Sequence, residues 1–212
     1  MLTFIYTKGK SIMDENEIKK NQEEFIKIYN ENIKREGAKE LLDYLLKTDF
    51  FVCPASTKFH SAVAGGLCFH SLNVYNRFLT NLKQEYKDEV YNKISKESIT
   101  IIALLHDICK VDCYRLDYKN VKVNNEWIKQ PYYMYNDSLP YGHGEKSVYM
   151  ISGFMKLTRE EAMAINWHMG GFDSRVIGGF YGLSQVFNDY PIAVLFHISD
   201  IEATYLDEVV NN

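Results

Sequence analysis

Side chains suited to holding a cation recur along this chain, at His70, His106, Asp107, His143, His168 and Asp200. Imidazole and carboxylate together suit first-row divalent ions. In the segment ESITIIALLHDICK, Ile99 to Leu105 is apolar on nearly every side, and His106 and Asp107 end that run. Burying a carboxylate there is costly unless its charge is compensated. Asp200 poses the same problem in HISDIEA, with no lysine or arginine at neighbouring turns. A shared metal would answer both charges. One carboxylate can bridge two cations while other ligands divide between them, leaving positions for water and substrate.

Taken singly, each histidine has a plainer reading. His70 could be a core residue bonded to a backbone carbonyl, His143 a loop residue, and His168 a cation favoured by a helix C-terminus. Lys110 follows Asp107 by three residues and would share its face if the helix continued. There it could meet a phosphate oxygen as charge builds in a transition state, or neutralise the helix end. Arg175, just after Gly170-Gly171 and Asp173, is placed either to clamp a phosphate bidentately or to form a surface ion pair. His197 reads as packing or support outside the ligand set. Cys53, Cys68, Cys109 and Cys113 lack CxxC spacing and read as reduced structural thiols, with a zinc site at Cys109 and Cys113 the lesser alternative.

The elements that must position these groups are mainly helical. Residues 14–47 carry apolar positions at helical spacing, divided by Gly37 into two helices. The stretch 48–66, with Pro54 and Gly65-Gly66, reads as a loop. A helix with His70 in its first turns follows, then the buried central helix ending at His106-Asp107. From Cys113 to Tyr135, β-branched, aromatic and charged residues alternate around Asn124-Asn125, which predicts a β-hairpin. Its tyrosines, Tyr114, Tyr118, Tyr132, Tyr133 and Tyr135, could stack on a base or simply pack on neighbours. His143 falls in a glycine-flanked turn. Thr158 and Glu161 have capping-box spacing, Gly170 and Gly171 can stop the helix after His168, and Pro191 suits the first turn of a last helix bearing Asp200.

With 212 residues, 46% hydrophobic and 25% charged, the chain predicts one globular domain over 13–212. Residues 1–12 read as a leader or alternative start without a secretory cleavage pattern, so the expected location is the cytosol. A net charge of −4 gives no general attraction for long nucleic acid. A phosphorylated substrate would need a local cation. Neither a glycine-rich phosphate loop nor a serine nucleophile elbow is present, which argues against ATP-driven and acyl-enzyme chemistry.

The ordered set GGLCFHSL, LLHDICK, GHGEKS, NWHMGG and HISDIEA resembles the HD-domain metal-dependent phosphohydrolase superfamily over about residues 58–205. It is similar to the binuclear branch, which includes HD-GYP cyclic-dinucleotide phosphodiesterases and the HD domain of bacterial 3′-to-5′ exoribonucleases. The resemblance implies an all-α HD-domain bundle with a small β-hairpin insertion. It further implies that His70, His106 and Asp200 hold one divalent ion, His143 and His168 hold a second, and Asp107 bridges them, with a water or hydroxide between the ions as nucleophile. Manganese, iron, cobalt, nickel and zinc all suit such ligands. HDICK resembles the HD-x-x-K pattern of the family, which favours Lys110 as a catalytic and substrate-binding residue. His60 resembles an upstream histidine of the exoribonuclease-like members and would touch substrate phosphate. The Gly-Tyr-Pro signature is missing and no nucleic-acid-binding segment precedes the domain, so neither cyclic dinucleotides nor long RNA are expected. The expected substrate is a nucleotide or short oligonucleotide cleaved at a phosphoester or phosphodiester. A di-iron oxygenase of related fold and a metal-stabilised nucleotide-binding module without turnover are the alternatives.

Overall fold

Asp14 opens the first helix by accepting the Glu17 N–H at 2.8 Å, satisfying one of the unpaired donors at a helix start. The computed structural model of the chain describes residues 13–59 and 61–208. Helix α1 (Glu15–Asn32) ends at Ile33, and Gly37, whose φ of +85° suits glycine, caps the start of α2 (Ala38–Leu45), so two helices flank this glycine as expected. After a loop come α3 (Gly66–Tyr86), the short α4 (Val90–Lys93) and α5 (Lys96–Leu105). Strands β1 (Tyr114–Val123) and β2 (Glu126–Tyr135) follow, then α6 (His143–Ser152), α7 (Arg159–Asn166), the short α8 (Ser174–Ile177), α9 (Gly182–Asp189) and α10 (Pro191–Glu202).

The architecture is mostly helical with one small antiparallel sheet among the described residues. Every residue of α5 from Ile99 to Leu105 is buried, and α3 packs against both α5 and α10, which makes these helices the centre of the core. Apolar burial of this kind contributes about 25 cal/mol per Å². Among the described residues no helix is long and apolar enough to cross a membrane.

Thr158 and Glu161 form the expected capping box, and Pro191 occupies the first turn of α10. In the hairpin, Val123 pairs with Glu126 around Asn124 and Asn125, whose φ values of 48° and 70° are those of a type I′ turn. Tyr114 anchors its base, donating to the Ala55 carbonyl at 3.3 Å and meeting the rings of Tyr133 and Tyr135 edge-on.

Boundaries around the candidate ligands differ from expectation. Helix α5 stops at Leu105, so His106 and Asp107 lie in the following turn, which tightens into a 3-10 segment at Ile108–Lys110. His143 is the first residue of α6 rather than part of a turn, and α7 ends at Asn166, leaving His168 just beyond it. Residues 1–12 and His60 lie outside the described residues.

Candidate metal centre

His106 and His168 occupy equivalent places, each just past the C-terminus of a helix whose last carbonyls lack helical partners. His106 Nδ1 lies 2.9 Å from the Ala103 carbonyl and His168 Nδ1 lies 2.7 Å from the Ile165 carbonyl. A carbonyl only accepts, so Nδ1 carries the proton in both rings and Nε2 is left to face inward. The same contact ends the helix and selects the tautomer.

The inward atoms converge on Asp107. His143 Nε2 is 2.7 Å and His168 Nε2 is 3.5 Å from Asp107 Oδ1, while His106 Nε2 is 3.4 Å and His70 Nε2 is 3.6 Å from Oδ2. His70 Nε2 also lies 3.3 Å from His106 Nε2 and 3.1 Å from Asp200 Oδ1. The structure therefore brings together the whole expected ligand set, in overlapping groups whose ligand atoms lie within 4.8 Å of one another: His70, His106 and Asp107; His106, His168 and Asp200; and Asp107, His143 and His168.

These separations fit a metal. Atoms bound to one ion at about 2.1 Å stand about 3.0–3.4 Å apart at octahedral or tetrahedral angles, and most of the distances above fall at or just beyond that range. The buried His/Asp groups could thus hold a metal ion.

Burial and charge shape the cluster. His70, His106, His168 and Asp107 are at most 2% exposed, whereas the side chains of Lys110, Asp200 and His143 are 12%, 14% and 30% exposed. Those last three groups mark the side open to solvent. Burial disfavours an ionised Asp107, but Lys110 and His106 outweigh it and hold its pKa well below the usual range. Burial likewise opposes a charged His70, yet Glu208 and Asp200 push its pKa up to about 10. Burial lowers the pKa of His106, which favours the neutral ring a metal requires.

Lys110 reaches Asp107 from three residues further on, through the 3-10 turn that follows α5. Its Nζ lies 2.6 Å from Asp107 Oδ2, so the buried carboxylate has a cationic partner within its own turn that the sequence reasoning assigned to a metal alone. Arg175 is engaged elsewhere. Its Nε and Nη2 meet both oxygens of Asp173, Nη1 meets Glu145 and Asn166 Oδ1, and Nη2 also meets the Asn166 carbonyl. Those contacts use all five guanidinium N–H groups, and the guanidinium also stacks 4.0 Å over Trp167. Arg175 thus braces the chain on either side of His168, in the ion-pair alternative rather than as a free phosphate clamp.

His197 donates from Nδ1 to the His168 carbonyl at 2.6 Å and stays outside the groups that could hold an ion, as expected. The four cysteines are unpaired and buried; Cys109 Sγ sits 3.5 Å from His143 Nδ1, and Cys113 accepts from Lys146 Nζ at 3.1 Å. Lys146 also pairs with Asp137 at 2.6 Å, which ties the loop before His143 to α6.

Sequence reasoning missed Glu208. Its carboxylate takes contacts from His70, Asn73 and Ser61 behind the cluster. The available signal was a spacing of eight from Asp200, which keeps two acids on one side of a helical segment. No family model, curated protein or solved structure matches this chain.

Proposed function

We propose that the chain is an HD-domain phosphohydrolase that cleaves a phosphoester or phosphodiester in a nucleotide-like substrate with two divalent transition-metal ions. The observation that carries this reading is the convergence of four imidazole Nε2 atoms and the Asp200 carboxylate around a buried Asp107, with Lys110 on the exposed side. His70, His106 and Asp200 would hold one ion, His143 and His168 the other, and Asp107 both. Such ions, when bound, polarise a phosphoryl oxygen and lower the pKa of water at the site.

The chain's own residues account for positioning. Nδ1 contacts to Ala103 and Ile165 lock His106 and His168 in one tautomer and ring orientation, so neither has to reorganise on binding. Lys110 supplies a fixed positive charge at the open side, where it can bind a non-bridging oxygen of the substrate and stabilise charge as the phosphoryl group transfers. That cation suits a phosphorylated substrate better than a neutral organic one, which favours hydrolysis over oxygenation. Substrate contact by His60 remains part of the proposal. The net charge of −4 supports a small phosphorylated substrate over long nucleic acid. Unpaired, buried cysteines support a reducing, cytosolic setting.

The test combines elemental analysis of protein purified without chelator with a screen of mono-, di-, cyclic and short oligonucleotides. Metal-dependent phosphate or nucleotide release supports the proposal. Oxygen consumption by the iron-loaded protein without phosphoester cleavage would replace it with an oxygenase, and an unmodified nucleotide retained without turnover would replace it with a binding module.

A further inference from the structure

The deeply buried imidazoles of the cluster solve the same problem in two ways. His106 and His168 sit past helix ends and find spare carbonyls in their own last turns. His70 lies inside α3, where the neighbouring carbonyls are committed to the helix. Its Nδ1 meets Glu208 Oε1 at 2.9 Å, across 138 residues of sequence.

A dedicated arrangement brings that carboxylate in. Beyond α10 the chain widens into a π-type turn at Ala203–Asp207, closed by the Glu208 N–H on the Ala203 carbonyl at 3.1 Å. Such turns recur at functional sites. Asp207 pairs with Arg77, whose Nε lies 2.7 Å away, and Glu208 receives Asn73 Nδ2 at 3.1 Å. His70, Asn73 and Arg77 follow one another at helical spacing on α3, so the turn docks along one face of that helix. Ser61 Oγ holds the other oxygen, Oε2, at 2.6 Å. The Glu208 side chain is fully buried, and His70, Asn73 and Ser61 are among the groups that converge on it. A buried carboxylate held from three sides has little freedom to move.

We propose that Glu208 is the positioning residue for His70 as a metal ligand, an inference that rests on the metal-centre reading above. The carboxylate orients the ring, keeps the Nδ1 proton in place and strengthens Nε2 as a donor. It does this for one ligand only, so its influence falls on the ion held by His70 rather than on the one held by His143 and His168. Outer partners of this kind change metal affinity by about 10–100-fold.

The experiment titrates Co²⁺ into metal-free protein by calorimetry, with the visible absorption of the bound ion as a second readout. Glu208→Gln keeps the shape and an acceptor for His70 but removes the charge. It is expected to weaken one of two Co²⁺ binding events by about 10–100-fold, to change the absorption of that ion, and to leave the other event unchanged. Arg77→Ala loosens the same terminal turn without touching His70, and is expected to leave both events near wild type. If Arg77→Ala weakens binding as much as Glu208→Gln, the turn matters only as structure and the proposal fails. It fails equally if folded Glu208→Gln binds both ions as the wild type does. Should Glu208→Gln not fold, the double variant Ser61→Ala, Asn73→Ala loosens the carboxylate while keeping it; selective weakening of one event supports the role and unchanged binding overturns it. A wild-type protein that binds no Co²⁺ removes the metal-centre reading itself, whereas normal two-ion binding with an indifferent Glu208 removes only this inference.

Discussion

Lys110 Nζ stands 2.6 Å from Asp107 Oδ2 while the other oxygen of the same carboxylate faces His143 and His168. Lys110 follows Asp107 by three residues in the 3-10 turn after α5, a spacing that keeps the two side chains on one face. One oxygen of Asp107 is thus shared between the lysine and the His70 and His106 side, and the other belongs to the second pair of histidines.

Lys110→Ala is expected to lower turnover by about 10²–10³-fold, the usual cost of removing one donor to a developing oxyanion. Metal content should stay as in the wild type, since an ammonium group has no lone pair to donate. Steady-state kinetics beside elemental analysis checks both halves. Undiminished turnover on a genuine substrate would leave Lys110 only as the counter-ion of Asp107.

Arg35 and Glu161 predict an acid-side stability effect far from the ligands. Arg35 donates to both Glu161 oxygens at 2.8 Å and also pairs with Glu97, joining the segment before α2 to the starts of α5 and α7. Burial opposes ionisation of Glu161, but Arg35 and the Thr158 N–H outweigh it and hold its pKa below the usual value. A lowered carboxylate pKa stabilises the fold above the unfolded pKa, and that contribution is lost as pH falls through the folded one. Glu161→Gln should therefore cost about 1–3 kcal/mol near neutrality and progressively less in acid. Urea denaturation across a pH series reads this; a cost independent of pH would contradict it.

Gly144 sets the approach of α6 to α7. A Cβ there would lie 2.2 Å from the Asn166 carbonyl oxygen and 2.7 Å from that of Ile165, the group that orients His168. Gly144→Ala must push the two helices apart, at about 1–3 kcal/mol for such overpacking. His143 and His168 should separate, so the ion they share should weaken more than the other. Thermal unfolding together with a two-site metal titration tests this, and unaltered binding in a destabilised variant would show that the helix contact does not set the ligand geometry.

Much of the helical framework was legible because it rests on local signals. The run from Ile99 to Leu105, apolar but for Thr100, reads as a buried element, Thr158 and Glu161 cap as their spacing requires, and Asn124-Asn125 tolerates the positive φ of a tight hairpin turn. That these histidines and aspartates would cluster was readable only through the resemblance to a family pattern, because the distances among His70, His143 and Asp200 arise from how α3, α6 and α10 pack. Features decided by long-range partners were hidden. Arg175 stayed open between a phosphate clamp and an ion pair until Glu145 and Asn166 were placed beside it. Glu208 gave little signal because a π-type turn and a contact 138 residues away define its place. His106 and Asp107 fell outside the expected helix because the His106 ring takes the Ala103 carbonyl and ends it.

The central claim is that Asp107 holds two ions together, and the most direct measurement is the metal stoichiometry of wild-type and Asp107→Asn protein purified in parallel without chelator. Asparagine preserves the side-chain shape and removes the charge that lets two cations lie close. The account predicts about two ions per chain in the wild type, and a folded Asp107→Asn variant, judged by circular dichroism, that retains fewer and hydrolyses no phosphoester. An Asp107→Asn protein with full metal content and normal turnover would contradict it.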